Sequence, residues 1–325
     1  MESYPNQTWD TAPDTRYPLP PVLAEVVEAP PTRPRRNVIV PGVLFAATCV
    51  STFLAGMQGF SFQESMISLA LSQPLVFLGE LAQRWQAGLT YMLAVMAILL
   101  AHEMGHFLQA VRYRVPASLP FFIPMPFTPL GTMGAVIGME KSTADRRQLF
   151  DIGLSGPLAG LVVAIPVTCW GILRAQIVEV PPPGTLSFGD PLIFKLLVPL
   201  LRPGATFDTE LYLNPLLMAG WVGMLITGLN MFPISQLDGG HVIYALFGRY
   251  SWLMVRAVLV GCIAAIVYWQ LYVWTVMFVL VVLIGIDHPR TANDRAPLGW
   301  WRWTLGLASL AIPVLCFVPN PFPGL

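Results

Sequence analysis

The chain is 325 residues long, 55% hydrophobic and 11% charged, with a formal net charge of zero. So apolar a balance excludes a single soluble domain of this length and fits an all-α polytopic membrane protein whose surroundings are a lipid bilayer. Neutrality leaves no basic surface for a polyanion, so no nucleic-acid partner is expected.

The first 36 residues hold eight prolines and no apolar periodicity, which predicts a disordered tail ahead of a membrane domain over 37–325. Glu2, Asp10, Asp14, Glu25 and Glu28 give that tail too many acids for a transit peptide. Val38–Met57 is long enough to span and is expected to stay as an anchor rather than leave as a signal peptide. Met66–Leu78 is apolar but interrupted by Pro74 and flanked by Glu64 and Glu80, which suits a piece lying on the outer face.

The second expected span, Gly88–Val111, carries His102-Glu103-Met104-Gly105-His106. Histidines at i and i+4 share one helix face, where their ring nitrogens converge on one ion. Glu103 sits about 100° further round, close enough to act on a water at that ion. Two imidazoles plus a carboxylate suit zinc, one ion per chain. Ionisable groups inside a span are costly and are functional by default.

Pro116, Pro120, Pro124, Pro126 and Pro129 then rule out a helix. Gly131–Met139 is expected to form a strand or hairpin. Non-helical backbone is tolerated at membrane depth where protein or a watery cavity surrounds it, so this stretch either edges the site or is a plain interfacial loop. The third span, Leu154–Leu173, is expected to be N-capped by Asp151, and its Gly156 and Gly160 to admit close packing against the His-bearing helix. Pro191–Leu201, with Lys195 and Pro199, is a second non-spanning piece on the outer face.

The fourth span, Leu216–Phe232, runs into Asn230-Met231-Phe232-Pro233-Ile234-Ser235-Gln236-Leu237-Asp238-Gly239-Gly240-His241. Pro233 and the glycine pair break the helix, which turns a side chain inward. A catalytic zinc site needs a third protein ligand, and Asp238 is the only carboxylate near this break. His241 is the alternative ligand, or else bonds backbone at a helix start.

Leu253–Trp269 and Leu271–Ile286 have no turn residue between them. One helix over both would run roughly 50 Å, too long for a hydrocarbon core of about 30 Å. Counting them as two, with Trp303–Val318 last, gives about six to seven transmembrane helices. It also leaves Arg33, Arg112, Arg146, Arg249, Arg256, Arg290, Arg295 and Arg302 on the side of the N-terminal tail. Only Arg84, Arg174, Lys195 and Arg202 fall opposite, so the tail is expected to be cytoplasmic. His106 then lies on the order of 10–15 Å below the cytoplasmic surface. His288, beside Pro289, is expected to be structural. Cys49, Cys169, Cys262 and Cys316 are widely spaced in apolar segments, as buried hydrophobes.

His102-Glu103-x-x-His106, Ser155-Gly156-Pro157 and Asn230-x-x-Pro233-x-x-x-Leu237-Asp238-Gly239, in this order and in apolar spans, resemble the site-2 protease family of intramembrane zinc metalloproteases. The likeness covers roughly residues 88–250, the family's three-helix core. It implies that His102, His106 and Asp238 are the metal ligands, that Glu103 is catalytic, and that Asn230 steadies the substrate carbonyl. It also implies that the proline-rich stretch and Gly131–Met139 are the loop and strand beside the cleft. Many members carry a PDZ domain between the third and fourth spans. About 40 residues lie there here, so a compact member without that domain is expected.

The expected function is therefore zinc-dependent endopeptidase cleavage of membrane-protein substrates in or near their spans, in regulated intramembrane proteolysis at a bacterial inner membrane. A catalytically silent zinc-binding scaffold is the competing class, and a transporter a third. An intact Glu103 and Asn230 favour the enzyme, because a pure binder needs neither.

Overall fold

The computed structural model describes residues 38–60, 66–139, 143–177, 187–207, 209–234, 236–285 and 291–323. The N-terminal tail, Lys141, His288 and Arg290 lie outside them. The described residues are mostly helical with one two-stranded sheet.

Helix α1 (Ile39–Gln58) ends at Gly59 in the left-handed conformation. A short α2 (Met66–Ser72) leads into α3 (Pro74–Arg112). Pro74 was expected to interrupt this region, yet it opens the helix, because the first helical position needs no N–H. The His-bearing helix is thus 39 residues long and starts well before the apolar stretch that marks the span.

Helix α3 gives way to strands β1 (Phe121–Met125) and β2 (Gly131–Val136), an antiparallel hairpin whose register shifts between Phe122 and Pro124. The expected strand is β2. Its partner, β1, lies inside the proline-rich stretch and tolerates Pro124 at the irregularity. The turn is pinned to two helices: the Ser51 hydroxyl donates to the Gly131 carbonyl at 2.6 Å, and the Tyr91 hydroxyl to the Leu130 carbonyl at 2.7 Å. Gly131 has φ +73, and a Cβ there would meet the Ser51 carbonyl, so only glycine fits.

Helix α4 (Arg146–Arg174) corrects one expectation. Its N-cap is Asp145, whose carboxylate accepts from the Gln148 N–H while the Gln148 side chain accepts from the Asp145 N–H. Asp151 lies inside the helix. The capping-box spacing of Asp145 and Gln148 was present in the sequence, but the charged first turns sit outside the apolar window. Helix α5 (Leu192–Leu201) follows, and then α6 (Pro215–Asn230), capped by Asn214.

A turn carries the chain from α6 into α7 (Asp238–Phe247), which a 3-10 turn joins to α8 (Ser251–Tyr268). Helix α8 stops at Gln270, which has φ +55, and the Leu271 N–H donates back to the Ile266 carbonyl, a Schellman closure. Leu253–Ile286 is therefore not one helix: α9 (Thr275–Ile284) starts afresh. The last expected span is two pieces, α10 (Trp300–Ser309) and α11 (Ala311–Cys316). Pro313 has no N–H for the carbonyl four residues back, which falls at the break.

Among the described residues, four helical runs are long and apolar enough to cross a membrane: Ile39–Gln58, Pro74–Arg112, Arg146–Arg174 and Asp238–Tyr268. The six to seven expected spans exceed this because α6, α9, α10 and α11 are each shorter than a bilayer-crossing helix.

The interior forms where α3, α4, α6 and α7 meet. Trp221, Tyr91, Ile98, Leu149 and Met218 are fully buried there. Glycines set the spacing: a Cβ at Gly171 would strike the Leu217 backbone, and one at Gly223 the Ile98 side chain.

Candidate metal centre

His102 and His106 lie one turn apart on α3, with ring centroids 5.1 Å apart. Helix α4 covers them. Gly160 faces the His102 ring, and a Cβ on Gly156 would fall onto the His106 imidazole. Gly105, between the histidines, brings α3 against the Ser155 carbonyl. The paired glycines expected to permit close packing thus open the space the rings occupy.

Asp238 arrives from the other side. Helix α6 ends at Asn230, the chain turns through Pro233, and α7 begins at Asp238. A Cβ on Gly239 would overlap the carbonyls of Met231 and Phe232, so this glycine lets the turn close beneath the carboxylate. In the first turn of α7 that carboxylate also meets the positive end of the helix dipole.

The three converge. Asp238 Oδ2 is 3.2 Å from Nε2 of His102 and 3.2 Å from Nε2 of His106. One ligand atom from each lies within 4.8 Å of the others. Donors about 2.0–2.2 Å from a tetrahedral ion stand roughly 3.4 Å apart, so the set fits a small divalent metal. The His106 Nδ1–H donates to the Ile152 carbonyl at 2.8 Å, which leaves Nε2 as a lone-pair donor aimed at the centre. Sequence reasoning missed this partner, since a backbone carbonyl has no residue signature. The nearby signal was Pro157, which has no N–H for the Gly153 carbonyl next to Ile152.

Glu103 is 4% exposed and has His102, His106 and Asp238 as its electrostatic neighbours. It shares a cavity of about 150 Å³ with His106, Asp238 and Asn230. Asn230 Nδ2 lies 3.3 Å from His102 Nε2. Ala135 and Val136 of β2 and the adjoining Ile137 line the same cavity, and the second edge of β2 pairs with no strand among the described residues. His241 also lines the cavity, yet it is not in the converging ligand set. All five sequence-expected site residues, His102, Glu103, His106, Asn230 and Asp238, thus meet in one place.

Residues 90–269 match the family model described as Peptidase family M50. The chain is 33% identical to the protein of Oryza sativa subsp. japonica named "Probable zinc metalloprotease EGY1, chloroplastic", over 69% of this chain and 39% of that protein. It is 32% identical to the Arabidopsis thaliana protein of the same name, over 72% of this chain and 43% of that one. Identity to the Arabidopsis thaliana "Probable zinc metalloprotease EGY2, chloroplastic" is 28%, over 72% and 42%. The chain spans about two-fifths of the length of these curated relatives. Their names carry a chloroplast address, so the expected bacterial inner membrane gains no support from them.

Proposed function

The chain belongs to peptidase family M50, the site-2 protease family, and on that premise we propose that it is a zinc-dependent intramembrane endopeptidase. His102, His106 and Asp238 hold the ion, and Glu103 and Asn230 act on the substrate. The observation that carries this is the convergence of two imidazoles and one carboxylate from separate helices, with the Glu103 carboxylate in the same cavity.

Bound zinc supplies Lewis acidity toward the scissile carbonyl and lowers the pKa of water. The protein does the rest. The Ile152 carbonyl holds His106 in one tautomer. Glu103 takes the proton from the attacking water and returns it to the leaving amine nitrogen. Asn230 Nδ2 donates to the carbonyl oxygen as that oxygen gains negative charge, a contact whose removal costs about 3 kcal/mol elsewhere. A transmembrane substrate hides its amides in its own helix and must unwind to be cut. The free edge of β2 offers it strand pairing, supported by the cavity-lining residues 135–137. The substrate class is therefore peptide bonds in or near the spans of membrane proteins, as in regulated intramembrane proteolysis.

The same reading takes α6, α9 and the α10–α11 pair as further crossings. It puts the N-terminal tail and the metal centre toward the cytoplasmic side of a bacterial inner membrane. The distribution of arginine supports that sidedness. Single cysteines at 143–148 should label from the cytoplasmic side and those near 185 from the other. The background would lack Cys49, Cys169, Cys262 and Cys316. Labelling of both sets from one side would overturn it.

The deciding experiment is cleavage of a model transmembrane substrate in vesicles, with metal content measured alongside. Wild type should cut and carry one zinc. A zinc-loaded wild type that cuts no substrate would favour the scaffold.

A further inference from the structure

Asp151, freed from the capping role, does something else. Its carboxylate is gripped at both oxygens by Arg302 of α10, Nε to Oδ1 at 2.8 Å and Nη2 to Oδ2 at 2.8 Å. The Tyr113 hydroxyl, just past the end of α3, donates to Oδ2 at 2.5 Å. The pair is largely buried, with side-chain exposures of 16% for Arg302 and 8% for Asp151. A planar two-point pair out of water fixes geometry more firmly than a surface ion pair does.

The place of the cluster gives it meaning. Tyr113 lies seven residues beyond His106 on the same helix axis. Asp151 immediately precedes Ile152, whose carbonyl receives the His106 Nδ1–H, and the Ser155 hydroxyl bridges that carbonyl and the Gly105 carbonyl. The Tyr113–Asp151 bond therefore ties the start of α4 to the end of α3, and the Arg302 guanidinium clamps that carboxylate from α10, close to where α4 aims a backbone acceptor at a metal-binding histidine. Arg302 comes from beyond the residues that match the family model. Residues 292–297, just before α10, are stitched to the rest of the fold. The Ala292 N–H donates to the Ala144 carbonyl, the Tyr244 hydroxyl to Asp294, and Arg147 to the Pro297 carbonyl.

We propose that the Tyr113–Asp151–Arg302 cluster positions the metal centre, holding the Ile152 carbonyl against His106 through an arginine that reaches in from beyond the matched residues. None of the three lines the metal-centre cavity, so they act as positioning residues. The inference rests on the metal reading above.

The test uses the full chain in detergent or nanodiscs, with cobalt(II) as probe. Cobalt affinity, the cobalt d–d spectrum and helicity are read together, then kcat and KM on the model substrate. Partners of ligating histidines are worth 10- to 100-fold in metal affinity, and this cluster acts one bond further out, so Arg302→Ala and Asp151→Asn should each weaken cobalt about tenfold. The d–d bands should shift, and kcat should fall with KM unchanged. Arg302→Lys keeps the charge but not the fork and should land between. Arg202→Ala is the control. Arg202 donates to the Leu173 and Ala175 carbonyls at the opposite end of α4, so its loss should lower stability and leave the cobalt spectrum alone. A wild-type spectrum and affinity in Arg302→Ala overturn the proposal, as does an equal shift in Arg202→Ala. Should Arg302→Ala not fold, Tyr113→Phe decides: a smaller shift in the same direction supports positioning, and a wild-type spectrum refutes it. If wild type itself binds neither cobalt nor zinc, the metal reading fails first and the inference falls with it.

Discussion

Helices α7 and α8 belong to one apolar run, Asp238–Tyr268, yet they meet opposite fates. Helix α7 buries eight of its ten residues, whereas α8 buries three of its eighteen, Ser251, Val255 and Leu259. Leu253, Val260, Ile263 and Val267 of α8 stay exposed. Hydropathy does not separate them, because lipid is as apolar as a protein interior and gives helices no hydrophobic reason to associate. Close approach and polar fastening do separate them. Helix α7 begins with Asp238, Gly239 and Gly240, and the Arg146 guanidinium donates to the Ala245 and Leu246 carbonyls at its end. Such fastening points lie on the metal-centre side of the run. What distinguishes the buried helix from the exposed one is small residues and satisfied polar groups rather than apolar content.

The contrast can be broken hardest at the centre. Glu103→Gln should keep bound zinc and helicity while cleavage falls by at least a hundredfold, the scale of a lost general base. Undiminished turnover in a zinc-loaded variant would assign the base elsewhere.

Glycine pairs sharpen the comparison next. Gly156→Ala drives a methyl onto the His106 ring, so metal affinity should drop 10- to 100-fold by calorimetric titration. Gly261→Ala in α8 meets nothing within 4 Å and should leave affinity unchanged, with stability equal or raised by up to about 1 kcal/mol. Equal effects from the two would erase the distinction between the regions.

A smaller effect is expected at the hairpin, where the proposed contact with substrate runs through backbone rather than side chains. Val136→Pro removes an N–H and should slow cleavage about tenfold with zinc content normal, while Val136→Ala stays near wild type. Normal activity in Val136→Pro would make β2 a wall of the cavity and nothing more.

The smallest effect separates His241 from the ligands it borders. His241→Ala should retain most bound zinc, whereas Asp238→Ala should lose it. Metal analysis of both proteins would reject Asp238 if the ion stays with it.

The sequence by itself determined which residues are candidates for the chemistry. An i, i+4 histidine pair with its glutamate is fixed by helix geometry alone, and one carboxylate beside a broken helix leaves little choice of third ligand. It determined the small residues at the α3–α4 crossing and the failure of the proline-rich stretch to form helix. Hydropathy alone misplaced where apolar helices begin, because the apolar window is narrower than the hydrogen-bonded helix. Pro74 thus starts α3 and Asp145 caps α4 outside their apolar windows. The tertiary structure alone paired β1 with β2, since five prolines conceal a strand from any propensity. And it alone brought Arg302 to Asp151 across 151 positions of chain and aimed the Ile152 carbonyl at His106. Those links join a distant side chain and a backbone group, neither of which a local pattern records.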